Sequence, residues 1–370
     1  MSDKAKQKFN LKSPEAKALI DEIVHGTFMK EGTMAAFPTC FPGATISIPG
    51  DESHITALDV STDGMIYGGT SGHATHLFVG IFHGVTGIVF DRGTVVGANH
   101  CAAVCCTKSK VISCVNGSSG GRVIASSFQG LPFDLLQEWG FGRPSLDDWG
   151  KVNGEPIVHA VTDNSKTSAI GTTTNSLFTV DAERGKIEII GDVPGRGRIA
   201  VGTKGGIFGQ DGPEHLWRYD VPERRIFRRN VKLPSGNWQD SPLSWGRDHR
   251  SGLLYTADAS GNLFSFDEER GFSSTLGKTL LAPVGPMSVT YDGRVFGFCG
   301  TDLAKMFCYN PATRSVANLG VAVSVLERRR YGYAFGDAVT GRDGQIIFGE
   351  NDNLGHLWLY FPKIQSAGAI

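Results

Sequence analysis

The chain has 370 residues, 40% of them hydrophobic and 10% aromatic, with 49 Gly and 16 Pro, so it can bury a sizeable core yet must turn often. Lys and Arg total 36 against 37 Asp and Glu, and a net charge of -1 excludes a general binder of nucleic acid or anionic membrane held by bulk charge. The longest apolar stretches, such as Leu77 to Val89, are broken by His83 and by glycines, and fall short of the roughly 20 residues a spanning helix needs.

Residues 1–42 read as a helical extension. The opening MSDKAKQKFN is charged and leads to no apolar segment with a small-residue cleavage site, which predicts a cytoplasmic protein. Ser13 is a helix cap with Pro14 at the first helical position, and Ala18, Leu19, Ile20, Ile23 and Val24 form an apolar stripe, so the spacing predicts an amphipathic helix over 13–28.

From residue 43 to 362 the chain repeats itself. DGMIYGGTSGHATHLFVG from Asp63 aligns with DGQIIFGENDNLGHLWLY from Asp343: turn, strand, Gly-rich loop, His-Leu-aromatic and second strand in one order. Copies of decreasing clarity start at Lys204, Ser251, Asp292, Thr167 and Lys110. Each unit carries short apolar runs of strand length between Gly, Asp, Asn and Ser clusters, which predicts four strands per unit and an all-β, seven-bladed β-propeller with a short N-terminal helix. In the first unit the strands are expected at 55–60, 65–69, 76–81 and 87–90. Residues 44–48 are expected to close the ring by pairing with the last blade. Residues 131–156 are expected to be an insertion forming a lid, a packing flap or a contact, and 363–370 a tail. Seven cysteines, with Cys101, Cys105, Cys106 and Cys114 in one strand-like stretch and no paired CxxC, read as reduced core residues and not as a zinc site.

In such a ring, the connections into the inner strands and the loops between second and third strands share one rim, where His54, His73, His76, His100, Arg198, Asp211, Glu214, Trp238, Asp240, Arg330, Tyr331, Tyr333, Glu350 and Asp352 are expected to gather. His159 lies on the inner strand of a neighbouring blade. The other rim, with Thr62-Asp63-Gly64, Arg247-Asp248-His249-Arg250 and Arg342-Asp343-Gly344, reads as tight hairpin turns. Imidazole moves protons near neutral pH, and a guanidinium pairs with a carboxylate as a fork. Arg330, flanked by Tyr331 and Tyr333, is the favoured arginine. His215 and His356 share a repeat position with His76 before Leu-aromatic and read as structural.

The signature DGxIYxGTxGxxxHLF, opened by a His-containing inner strand, resembles the seven-bladed sugar β-elimination propellers: ulvan lyases, rhamnose-glucuronate lyases, the related propeller rhamnosidases and the propeller of aldos-2-ulose dehydratase. The resemblance implies paired histidines of the first blade, helped by Tyr and Arg, acting on a uronic acid. The matching positions are His54 and His76, with His73 a rival for the second, and Arg330 or Arg198 to neutralise the carboxylate and Tyr333 or Tyr331 as acid. His73, His100, His159, Arg198, Trp238 and Tyr331 are expected to bind substrate. An oligosaccharide, glycoside or keto-sugar is the expected substrate, and nucleic acid and membrane are not expected partners. No cofactor is required; a divalent cation at the channel mouth would use Glu350, Asp352 and Asp337. Two other classes compete. One is a glycoside hydrolase removing a terminal sugar such as rhamnose, with its carboxylate pair among Asp211, Glu214, Asp240, Glu350 and Asp352. The other is a non-catalytic interaction platform.

Overall fold

The computed structural model describes residues 12–14, 16–18, 20–21, 31–39, 48–84, 86–129, 145–301, 303–326 and 330–363. They form seven antiparallel blades, each of four strands paired in succession from inner to outer with a fifth short strand added in one, and a separate two-stranded sheet of Ala322–Val323 and Tyr331–Gly332. The inner strands are His54–Val60, Ala98–Cys106, Ile157–Thr162, Ala200–Val201, Gly246–Arg247, Val284–Val289 and Phe335–Thr340, numbered here as blades 1 to 7. The architecture is the seven-bladed propeller that the repeats predict.

Burial follows position in the blade. Second strands such as Ile207–Asp211 and Ile346–Glu350 are buried throughout, because each lies between two neighbouring sheets. Outer strands such as Arg225–Lys232 are mostly exposed. A recurrent device sets the spacing between strands: Gly68 pairs with Phe78, Gly171 with Phe178, Gly209 with Trp217 and Gly297 with Phe307. The aromatic ring lies over the glycine, so a Cβ at Gly209 would sit 2.2 Å from the Trp217 ring.

Ring closure differs from the expectation in its segment. The outer strand of blade 7 is Gly32–Pro38, paired antiparallel with His356–Pro362 from Gly32↔Pro362 to Pro38↔His356. Residues 44–47 lie outside the described residues, and Ile48 is buried among Ile55, Ile347 and Leu357 instead of lengthening that sheet. The closing strand thus comes from within the expected extension 1–42, because Met34 and Ala36 bury their side chains against the last two blades. The expected insertion is likewise shorter: Asp147–Lys151 is the outer strand of blade 2, paired with Gly120–Ser126, and residues 130–144 lie outside the described residues. At the amino end the cap forms as predicted, with Ala16 N donating to Ser13 Oγ at 3.1 Å and Ala16 buried; the described helical residues end at 21. No helix among the described residues is long and apolar enough to cross a membrane.

Candidate active site

An inner strand presents an unpaired backbone edge to the central channel, and each such N–H or C=O needs a partner. Side chains crossing from one blade to the next supply it at all seven interfaces. Asp337 Oδ2 accepts from Leu58 N at 2.7 Å, Asp59 Oδ2 from Cys106 N at 2.6 Å, and His159 Nδ1 from Ile199 N at 3.3 Å. Asn116 exchanges two bonds with the Ile157 backbone, at 2.7 and 2.8 Å. Trp245 Nε1 donates to Arg198 O at 3.0 Å, Ser244 Oγ to Gly285 O at 2.9 Å, and Thr340 Oγ1 to Val289 O at 2.7 Å.

One contact crosses the lumen. Arg198 enters blade 4, yet its Nη1 bonds Asp337 Oδ1 in blade 7 and its Nη2 donates to Gly336 O at 2.6 Å. Two blades lie between them on one side of the ring and three on the other, so the pair bridges the channel. It forms part of the wall of a cavity of about 450 Å³ that also includes Asp59, His159, Lys166 and Arg247. Its mouth lies among Thr62, Asp163, Asn164, His249, Tyr291 and Arg342, the turns that follow the inner strands. The cavity therefore opens on the rim expected to hold only hairpin turns, because those turns carry long polar side chains inward.

The well has defined electrostatics. Burial pushes the Asp59 carboxyl up to about 6, against the lowering effect of the backbone N–H groups of Cys106 and Val60. Burial also drives the His159 imidazole well below its ordinary value, and Arg198 adds to this, so the ring is neutral at neutral pH. Because the Ile199 N–H can only donate, Nδ1 of His159 is the unprotonated nitrogen and the proton resides on Nε2.

Of the expected site residues, His159 and Arg198 line this well; His54, His73, His76, His100, Arg330, Tyr331, Tyr333 and Trp238 do not. His76 is buried between Glu52 Oε2 at 2.8 Å and Asp91 Oδ2 at 3.1 Å, an ion cluster that holds blade 1 together. His54 Nε2 bonds Asn353 Oδ1 at 2.8 Å, and His100 Nδ1 bonds Ser71 Oγ at 2.9 Å. His73 is exposed, 3.5 Å from Asp51. Arg330 donates to Glu350 Oε2 at 2.8 Å and Leu354 O at 3.0 Å, while Tyr331 and Tyr333 stack on each other at 6.4 Å, with Tyr333 exposed. Trp238 is a core residue against Phe264 and Phe272, its Nε1 donating to Pro234 O at 2.8 Å.

Four of the six carboxylates expected for hydrolysis or a cation are similarly engaged. Asp211 is clamped by Arg228 at 2.9 and 2.7 Å, which lowers its pKa despite burial. Glu350 also accepts from His356 N at 3.0 Å and Trp358 Nε1 at 3.2 Å, Asp240 accepts from Asn237 Nδ2 at 2.5 Å, and Asp337 is paired with Arg198. Glu214 is exposed, and it is its backbone carbonyl, not its carboxylate, that accepts from Leu233 N at 2.8 Å. Asp352 is raised to about 6 by burial and then by Glu350. No group of three or more His, Cys, Asp or Glu suited to a metal ion occurs among the described residues. Asp59, Lys166, Arg247 and His249 were missed as site residues. The only sequence signal was the charged turn Arg247-Asp248-His249-Arg250, which reports turn geometry and not what converges across the channel.

No family model matches the chain, and no curated protein matches it. Among solved structures it is similar to virginiamycin B lyase from Staphylococcus aureus, with a TM-score of 0.64 and 10% identity over 90% of this chain and 100% of that one. A catalytically inactive histidine-to-alanine variant of that lyase with quinupristin gives a TM-score of 0.62 at 9% identity, with the same coverage. An extracellular domain of a Bacteroides thetaiotaomicron protein described as a one-component system gives 0.56 at 12% identity, over 87% of this chain and 39% of that one. The chain is thus a seven-bladed β-propeller whose structural neighbours include a lyase. At these identities the likeness establishes fold, and the chemistry must be argued from the site.

Proposed function

We propose that the chain is a lyase acting by β-elimination on an acidic or oxidised sugar held in the channel well. The observation that carries this reading is the gathering of a carboxylate, a hydrogen-bond donor of fixed tautomer and a guanidinium, Asp59, His159 and Arg198, in the wall of one open-mouthed cavity. Elimination needs a base for the proton next to the carboxylate or carbonyl, and donors for the oxygen on which negative charge develops. Asp59 takes the proton from the α-carbon, the electron pair of that C–H bond forms the new double bond, and the C–O bond at the β-carbon breaks. Asp59 then returns the proton to the departing oxygen, a double duty suited to a carboxyl near 6. His159 Nε2–H and the remaining N–H groups of Arg198, beyond the two bonded to Asp337 and Gly336, stabilise the enolate oxygen.

The test is to incubate the protein with uronic-acid oligosaccharides and follow ultraviolet absorbance from the new double bond. Asp59→Asn is expected to lower the rate by about 100-fold or more, the usual worth of a general base, while His54→Ala keeps it. Release of reducing sugar without absorbance would replace elimination by hydrolysis. Loss in His54→Ala with retention in Asp59→Asn would move the site to the opposite rim.

A further inference from the structure

Arg247 borders the well but takes no part in the proton transfer above. Its Nη2 donates to Asn164 Oδ1 at 2.8 Å, and its Nε is buried with no hydrogen-bond partner among the described residues. Among those residues no carboxylate pairs with it, since its neighbour Asp248 accepts from Arg250 N at 2.9 Å and Ser251 Oγ at 2.5 Å. Burial draws the guanidinium's pKa below its usual range, with Asp248 opposing. Lys166 borders the same cavity and has no ion pair among the described residues; it and Arg247 both press on His249, whose pKa is lowered first by burial and then by these two cations. The carboxylates lining the well are occupied: Asp337 by Arg198, Asp163 by Thr167 N at 2.8 Å and Ser168 N at 3.0 Å, and Asp59 by Cys106 N at 2.6 Å and Val60 N at 2.8 Å, with the Lys166 charge favouring its ionised form without an ion-pair contact. A partly buried cation without a counterion is costly, and an incoming anion removes that cost.

We infer that Arg247 and Lys166 form an anion-binding subsite at the mouth of the well, and that its ligand is the carboxylate of a sugar acid. The proposal deepens the elimination reading and rests on it for the choice of a sugar. The planar guanidinium suits bidentate pairing with a carboxylate, the ammonium adds a mobile point charge, and a cavity of about 450 Å³ accepts a ligand of one or two sugar rings. Substrate would then enter between the intrablade turns, carboxylate at the mouth.

Isothermal titration of the full chain with digalacturonate and with its methyl ester tests this. The acid is expected to bind about tenfold or more tightly than the ester, the scale of one charge-assisted contact. Arg247→Gln and Lys166→Gln are each expected to weaken the acid about tenfold and leave the ester unchanged. Arg247→Gln should melt no lower than the parent chain, because it removes an uncompensated cation; Lys166→Gln, at the mouth, provides a second reading should the first variant misfold. Equal binding of acid and ester, no binding of the acid, or unaltered binding in both variants overturns the subsite, as does tighter binding of inorganic phosphate than of the acid. Binding without new ultraviolet absorbance would discard elimination and leave the subsite standing. Absorbance with unchanged acid binding in both variants would do the reverse.

Discussion

His76 and Asp59 show how burial and partners give two titratable side chains different work. For His76 burial is the largest single influence and lowers the pKa, but hydrogen bonds to Asp91 and Glu52 together outweigh it, so the imidazolium is favoured in the folded chain beyond its ordinary value of 6.5. The stability this contributes is complete below that ordinary value and is lost as pH rises through the higher folded one. The thermal midpoint is therefore expected to fall on the alkaline side of neutrality. His76→Gln should flatten that decline and cost about 3 kcal/mol near neutral pH, as for one member removed from a buried ion cluster; a parent chain equally stable across that window would refute the role. Asp59 lies the other way, its carboxyl raised to about 6, so a base at this position is ionised only above that pH. The rate of elimination under limiting substrate should accordingly rise with pH through about 6 and plateau. A profile flat between pH 5 and 8 would remove Asp59 from the reaction.

Among the elements, the second strand of four blades depends on what is missing from it. Gly209 sits opposite Trp217, and an added methyl would meet the indole at 2.2 Å with the neighbouring blade behind it. Gly209→Ala is expected to lower stability by about 1–3 kcal/mol in urea unfolding, the cost of overpacking a filled core; an unchanged midpoint would mean the blade can part to make room. The closing strand depends on pairing. With Gly32–Pro38 removed, His356–Pro362 becomes an unprotected edge rich in Leu357, Trp358, Leu359 and Tyr360. A chain starting at residue 39 should associate on size-exclusion chromatography, and a monomer with the parent's melting temperature would show that the strand is dispensable.

At the scale of the ring, the Arg198–Asp337 pair ties blade 4 to blade 7 across the lumen and forms part of the cavity wall. Arg198→Met strands a buried carboxylate and should cost about 3 kcal/mol, most of it regained in the double variant Arg198→Met, Asp337→Asn, which removes the charge and keeps an acceptor for Leu58 N. Additive losses in the two single variants would mean the side chains act independently. Both forms should lose elimination activity.

The repeat, the blade number and the Ser13 cap were legible in the sequence because each is a local pattern: turn residues, strand-length apolar runs and a hydroxyl three residues before an amide. Which apolar run completes the last blade was not, since 32–38 and 44–48 are both short and strand-like, and only packing against His356–Pro362 distinguishes them. The same division holds for the site. Of the residues that sequence singled out, His159 and Arg198 line the well and the other histidines and aromatics lie away from it, because spacing tells which residues follow a strand and not how far their side chains reach. Arg198 and Asp337 stand 139 residues apart and meet only because seven sheets close into a circle. Composition and repetition thus determined the ring, while the well and its charges were decided by closure, which turns the ends of separate strands into one wall.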